Sequence, residues 1–391
     1  MSKAMIPYGR QQIEQQDIDA VVEVLRSDFL TQGPKVPLFE QALKDATGAR
    51  HAVAVNSATS ALHIACLALG LGKGDQLWTS PVTFVASANC GLYCGAVVDF
   101  VDIDPDTYNL CPKKLEEKLI QAEKSGTLPK VVIPVHLAGM PCEMEKIHAL
   151  SKRFGFRIIE DASHAIGAHY PDGTVGDCSF SDITVFSFHP VKIVTTAEGG
   201  AALTNDDELS KRLALLRSHG ITREASLMES EPHGSWYYEQ IDLGFNYRMT
   251  ELQAALGYTQ MQRLKSFVDA RNELADRYDT LLAGLPVNLP MRTSGYHSSF
   301  HLYVMRLKGK LIMRHREIFE ALRQSGIGVN IHYIPVHTQP YYQRFGFQWG
   351  DFPESESYYR EAISLPLFHG MTYKQQDRVV AVLKAVLEEK K

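Results

Sequence analysis

The sequence predicts an α/β protein in which a mostly parallel, seven-stranded sheet covered by helices is joined to a smaller C-terminal α+β domain. Three observations carry this expectation. Between residues 51 and 204, seven short apolar runs alternate with helical stretches, and strands that read as continuous apolar runs belong to parallel sheets buried on both faces. Past residue 265 the pattern changes to alternating and amphipathic segments. A chain of 391 residues with 45% hydrophobic and 22% charged residues is long and apolar enough to fill two cores.

The first element follows a short arm that includes Tyr8. Ile18, Val21, Val22 and Leu25 lie on one helical stripe within residues 12–27. The segment 28–34 then reads as a turn, and a second helix runs through Leu38, Phe39 and Leu43. The seven strand runs are 51–55, 76–79, 97–103, 131–135, 157–160, 183–188 and 200–204. A helix over 206–217 precedes the polar stretch 220–234, expected to be a mobile surface loop. From Met249 to about Tyr278 the apolar period is unbroken and predicts one long helix. Thereafter 300–307 reads as a strand, 313–324 as a helix, 329–333 as a strand and 375–389 as a closing helix. The boundaries implied are 1–265 for arm and large domain and 266–391 for the small domain.

Composition narrows the function classes. A net charge of −5 without any Lys/Arg block argues against nucleic acid or a membrane surface as partner. Six scattered cysteines form no CxxC pair and no zinc spacing, so they read as reduced thiols with no metal. No signal-peptide pattern and no stretch of about 18 apolar residues is present, which gives a cytoplasmic expectation. The motifs GxGxxG, GxxxxGK[ST], HExxH and GxSxG are also missing, against nicotinamide, nucleotide-hydrolysing, zincin and α/β-hydrolase chemistry.

What the sequence does hold is a lysine in an apolar setting. In the run 183–197, Lys192 is the one side chain certain to carry charge. A buried lysine loses pKa and becomes an amine nucleophile suited to a Schiff base with a carbonyl, that of pyridoxal phosphate included. Snorkelling from a strand end to solvent is the plainer alternative. Around it stand other candidates. Asn56-Ser57-Ala58-Thr59-Ser60-Ala61-Leu62 turns a strand into a helix and could cradle a phosphate on its N–H groups, or merely cap the helix. Asp161 ends a strand at the ligand edge of the sheet and could pair with a protonated ring nitrogen, or serve as a cap; His164, which follows it, could be a core histidine hydrogen-bonded to backbone. Phe84 could stack on a flat ring, or pack. Asn246, at the head of the long helix, could donate to an anion, or merely cap.

These blocks in this order resemble the sugar aminotransferases of the DegT/DnrJ/EryC1/StrS family, pyridoxal-phosphate-dependent transferases of fold type I (aspartate aminotransferase-like). The most specific match is Ser187-Phe188-His189-Pro190-Val191-Lys192 followed by Thr195-Thr196-Ala197-Glu198-Gly199-Gly200, supported by Glu160-Asp161-Ala162-Ser163-His164-Ala165 and Gly244-Phe245-Asn246-Tyr247-Arg248. The resemblance implies that Lys192 bonds the cofactor, Asp161 pairs with the pyridine nitrogen, Phe84 stacks on the ring, and Ala58, Thr59 and Ser187 hold the phosphate. His164 joins the cofactor contacts, and Asn246 reaches the phosphate from the second subunit of a homodimer that shares its active sites. Members with histidine at the lysine position are dehydratases; the lysine here implies ping-pong transamination, with Lys192 as proton carrier.

Further stretches, Arg217-Ser218-His219-Gly220-Ile221, Trp236-Tyr237-Tyr238-Glu239-Gln240 and His332-Tyr333-Ile334-Pro335-Val336-His337, resemble family members of the pseudaminic-acid pathway. They imply L-glutamate as amino donor and a UDP-linked 4-keto-6-deoxy N-acetyl hexose as acceptor, with Tyr8, Phe29, Leu30, His332 and Tyr333 along the sugar pocket. Another UDP- or dTDP-linked keto sugar is the alternative substrate, and a binding protein of the same fold is the non-enzymatic one.

Overall fold

All seven apolar runs become strands of one sheet: β1 (His51–Val55), β2 (Gln76–Thr79), β3 (Val97–Phe100), β4 (Val131–Ile133), β5 (Arg157–Asp161), β6 (Ile183–Ser187) and β7 (Gly200–Thr204). This is seen in a computed structural model that describes residues 5–388. Their order is β1-β7-β6-β5-β4-β2-β3. Four pairings are parallel, and β7 alone runs against both its neighbours. It follows that β1 points the same way as β6, and that the C-terminal ends of six strands share one edge, where open α/β sheets bind ligands.

The strands are apolar throughout because both faces are covered. Successive side chains on β6 go to opposite cores: Val185 packs with Val53, Ile64 and Leu213 on one side, and Phe186 with Phe39, Phe188 and Ala201 on the other. Each such fully buried side chain contributes about 1.5–3 kcal/mol relative to exposure.

A third core lies around the strands β8 (Val287–Asn288), β9 (Tyr303–Leu307) and β10 (Ala362–Leu365), with Tyr278, Ile318 and Leu383 among its members. Ile6 of the N-terminal arm belongs to this core. The arm is tied there by the Gly328 N–H to the Ile6 carbonyl at 2.7 Å and the Leu367 N–H to the Tyr8 carbonyl at 3.0 Å. Among the described residues no helix is long and apolar enough to cross a membrane.

Three expectations are corrected. The single long helix is two, Glu251–Met261 and Leu264–Leu282, with Arg263 outside helical geometry at φ −112°, ψ 6°. The cause is a tertiary knot around buried Asp17. Thr259 Oγ1 and Gln260 Nε2 donate to Asp17, and the Arg263 guanidinium pairs with Asp17 and with Glu14 at 2.8 Å. The strand expected over 329–333 reduces to one bridge, Asn330 with Ser364, because the Asn330 side chain accepts the N–H of Ile331 at 2.9 Å and removes a ladder donor. The stretch 220–234 is not wholly loop, since Ile221–Thr222 pairs with Glu239–Gln240.

Candidate active site

At the shared strand edge lies a cavity of about 550 Å³. Its floor is set by strand register. Gly200 pairs with Val55 on one side and Ser187 on the other, so the turn after β1 and the end of β6 meet there. The helix Ala58–Ala68 starts at this point, with Ser57 capping it by accepting the Ser60 N–H at 3.1 Å. A Cβ on Gly200 would stand 2.4 Å from the Ala58 nitrogen, so only glycine lets the helix head dock on β7. Ala58, Thr59 and Ser187 thereby line one end of the cavity. Helix N–H groups, a positive dipole end and adjacent hydroxyls are what a phosphate needs.

Asp161 ends β5 in the middle of the cavity wall. Its Oδ2 accepts the Ser87 hydroxyl at 2.6 Å and its Oδ1 the Ser163 N–H at 3.1 Å. The Thr83 and Ser87 hydroxyls are 2.7 Å apart, and with Ser87 donating to Asp161 the proton between them belongs to Thr83. The carboxylate is buried and fixed in orientation, with acceptor capacity left on the cavity side.

Lys192 sits in the loop that connects β6 to β7. That loop is pinned at its base, where the Phe188 N–H donates to Gly199 and the Thr196 N–H to Phe188, both at 2.9 Å. Lys192 lines the cavity and is partly buried. Burial pushes the lysine down to about 8, against the pull of the Asp161 charge. At neutral pH a usable fraction is therefore free amine.

The facing wall comes from the small domain, the arm and the segment after β5. His164 accepts the Ala138 N–H on Nδ1 at 3.2 Å, and its Nε2 is 3.0 Å from the Tyr333 hydroxyl. The His332 Nε2 faces the Asn330 amide and its Nδ1 the Ser364 hydroxyl at 2.8 Å. Burial, with the Lys192 charge behind it, pushes His332 down to about 3. His301 is likewise held neutral by burial, its Nδ1 enclosed without a partner, and its ring is 4.4 Å from that of His164. Tyr8 packs its ring 5.3 Å from His332, and Phe84, 58% exposed, faces Tyr333 at 6.2 Å.

Thus one cavity gathers Lys192, Asp161, Ala58, Thr59, Ser187, Phe84, His164, Tyr8, His332 and Tyr333. Three expected residues lie elsewhere in the chain. Phe29 and Leu30 are 53% and 51% exposed and do not line it, and Asn246 is exposed beside Asn56. Sequence reasoning missed Thr83, Ser87, His301 and Asn330. The four-residue spacing of Thr83 and Ser87 past a strand was a usable signal for the first two; His301 and Asn330 reach the cavity only through tertiary folding.

The family model described as the DegT/DnrJ/EryC1/StrS aminotransferase family matches residues 11–384. The chain is 38% identical over 390 residues to the UDP-4-amino-4,6-dideoxy-N-acetyl-beta-L-altrosamine transaminase of Campylobacter jejuni, covering 99% of both. Among solved structures it is similar to Helicobacter pylori PseC, an aminotransferase involved in the biosynthesis of pseudoaminic acid, with a TM-score of 0.90, 32% identity and coverage of 98% and 99%. It is also similar to the PLP-form of the putative sugar aminotransferase Spr1654 from Streptococcus pneumoniae, with a TM-score of 0.89, 31% identity and coverage of 98% and 99%.

Proposed function

The chain belongs to the DegT/DnrJ/EryC1/StrS aminotransferase family, and from that premise we propose that it moves the amino group of L-glutamate to the 4-keto position of a UDP-linked 4-keto-6-deoxy N-acetyl hexose, in the cytoplasm, with pyridoxal 5′-phosphate as cofactor. One observation carries the reading: a lysine of lowered pKa, a fixed carboxylate and a hydroxyl-lined helix head open onto the same cavity. That donor set fits the cofactor. Ala58, Thr59 and Ser187 would hold its phosphate, Asp161 its ring nitrogen and Phe84 its ring face, with Asn246 of a second subunit completing the phosphate site in a homodimer.

Bound there, the cofactor supplies an electron sink for a carbon stripped of its proton. The chain's own residues do the rest. Lys192 Nζ, with a pKa of about 8, is free enough to attack a carbonyl and basic enough to take a proton and return it. Asp161, hydrogen-bonded on both oxygens, would present a carboxylate of fixed orientation to the ring nitrogen. The remaining wall offers Tyr8, Asn330, His332 and Tyr333, uncharged donors and acceptors suited to a neutral, hydroxyl-bearing sugar ring. Phe29 and Leu30 would reach that ring from the second subunit.

The test is to add glutamate to the purified holoprotein, then a panel of UDP- and dTDP-linked 4-keto sugars. Glutamate should bleach the yellow protein and release 2-oxoglutarate, and the UDP-linked N-acetyl sugar should restore the colour fastest. A colourless protein that takes up no pyridoxal phosphate overturns the reading, and faster turnover of a dTDP sugar moves it to the alternative substrate.

A further inference from the structure

The ring nitrogens of His164 determine where a proton points inside the cavity. Nδ1 accepts the backbone N–H of Ala138 at 3.2 Å and so carries no proton of its own. His164 is 5% exposed, and burial, aided by the Lys192 charge, keeps it neutral by holding its pKa well below the ordinary histidine value. The tautomer is therefore Nε2–H. Nε2 lies 3.0 Å from the Tyr333 hydroxyl and donates to it. An oxygen that accepts there must send its own proton elsewhere. Burial, then the charge of Asp161, raises the Tyr333 pKa, so that proton stays on. Among the described residues no second group accepts it, and Tyr333 lines the cavity beside Phe84, Asp161 and Lys192.

We propose that Ala138, His164 and Tyr333 form a one-way hydrogen-bond relay whose last member, the Tyr333 O–H, donates to an oxygen acceptor of the ligand held in the cavity, with His164 as its positioning residue. The inference rests on the functional reading above. In this arrangement both nitrogens of His164 are engaged within the protein, and its influence on the ligand passes through Tyr333. The acceptor is either an oxygen on the cofactor ring or an oxygen of the sugar. The two share one chemistry and separate by experiment.

Tyr333→Phe keeps the ring and removes the donor. If the cofactor oxygen is the acceptor, the variant should lose pyridoxal phosphate on dialysis at least about tenfold faster and slow both half-reactions. If the sugar oxygen is the acceptor, retention and the glutamate half-reaction should be unchanged, and kcat/KM for the keto sugar should fall about tenfold or more. His164→Leu should reproduce whichever pattern appears, His164→Gln should restore part of it, and the double variant should be no worse than Tyr333→Phe alone. Unaltered retention and unaltered half-reactions in Tyr333→Phe overturn the relay, as do losses that multiply in the double variant. The tautomer is tested independently of turnover by nitrogen NMR of the imidazoles in the cofactor-free protein. A His164 ring protonated on Nδ1 would sink the relay even if the aminotransferase reading stood.

Discussion

Glu160 and Asp161 are consecutive residues of β5, both buried carboxylates, and they point to opposite faces of the sheet. Glu160 is saturated. It accepts from His136 Nε2 at 2.8 Å, from Thr184 Oγ1 at 3.1 Å, and from the hydroxyls of Tyr170 and Ser181. His136 is itself fixed by accepting the Cys142 N–H on Nδ1, so its other nitrogen is the donor. Burial alone would raise the Glu160 pKa, yet these hydrogen bonds, that of His136 foremost, outweigh burial and hold it below the usual glutamate range. Asp161 has protein donors on one side and an open cavity on the other. The same chemical group is structural where every lone pair is used and functional where capacity is left over.

That contrast can be broken experimentally, beginning where the effect is largest. Lys192→Ala should abolish turnover and the visible absorbance of the holoprotein. Asp161→Asn should lower kcat by about 10²–10³, the scale of losing one preorganised electrostatic partner, with thermal unfolding nearly unchanged. Retention of full activity by either would sink the assignment of the cavity.

Glu160→Ala should do the reverse. Removing one partner of a buried pair costs about 3–5 kcal/mol of stability, measured by denaturant unfolding, while activity per folded molecule remains. Its pH signature has a definite sign. A carboxylate whose folded pKa is depressed contributes stability above its unfolded value and loses it as pH falls through the folded one. The stability advantage of the wild type over Glu160→Gln should therefore be full above the ordinary glutamate range and shrink as pH falls through the lowered folded value.

Lys192 sharpens the comparison from the cationic side. Its folded pKa of about 8 lies below the ordinary 10.5, so between those values the unfolded chain binds more protons and stability rises with pH. Below about pH 8 the full cost is present. Lys192→Met should raise the melting temperature of the cofactor-free protein by a few degrees at pH 7, and that gain should shrink between pH 8 and 10.5; a gain independent of pH would contradict the assigned burial cost. The smallest effect is expected at Ser87→Ala, about 0.5–1.5 kcal/mol of stability for one neutral hydrogen bond, with a measurable loosening of pyridoxal phosphate.

Much of this was legible in the sequence because the strands are apolar on both faces and short, so their runs mark them directly. Lys192 and Asp161 stood out for a related reason, as charged groups at the ends of such runs. What was hidden depends on tertiary placement. The apolar period from Met249 onward continues through Arg263, and only the pairing with Asp17 and Glu14, far away in sequence, breaks the helix. The Ile331 N–H lost to the Asn330 side chain removes a strand that propensity favours. His164 and Tyr333 were legible singly, one beside the carboxylate and one in the C-terminal part, but their hydrogen bond joins residues 169 positions apart. Phe29, Leu30 and Asn246 look outward from a single chain, where no pattern within one sequence could position them.

The reversed strand β7 also sets an order of events. β1 is the first strand of the sheet to be synthesised and lies at its edge, and its sole partner in the sheet is β7, the last. Throughout translation of everything between them, β1 carries an unpaired ladder and depends on chain-distant closure, the slow and aggregation-exposed kind of step. Gly200, on which the head of the helix Ala58–Ala68 docks, arrives with β7. The helix head that lines this end of the cavity is therefore completed only when the sheet closes, so a ligand that needs it binds only a domain that has finished folding.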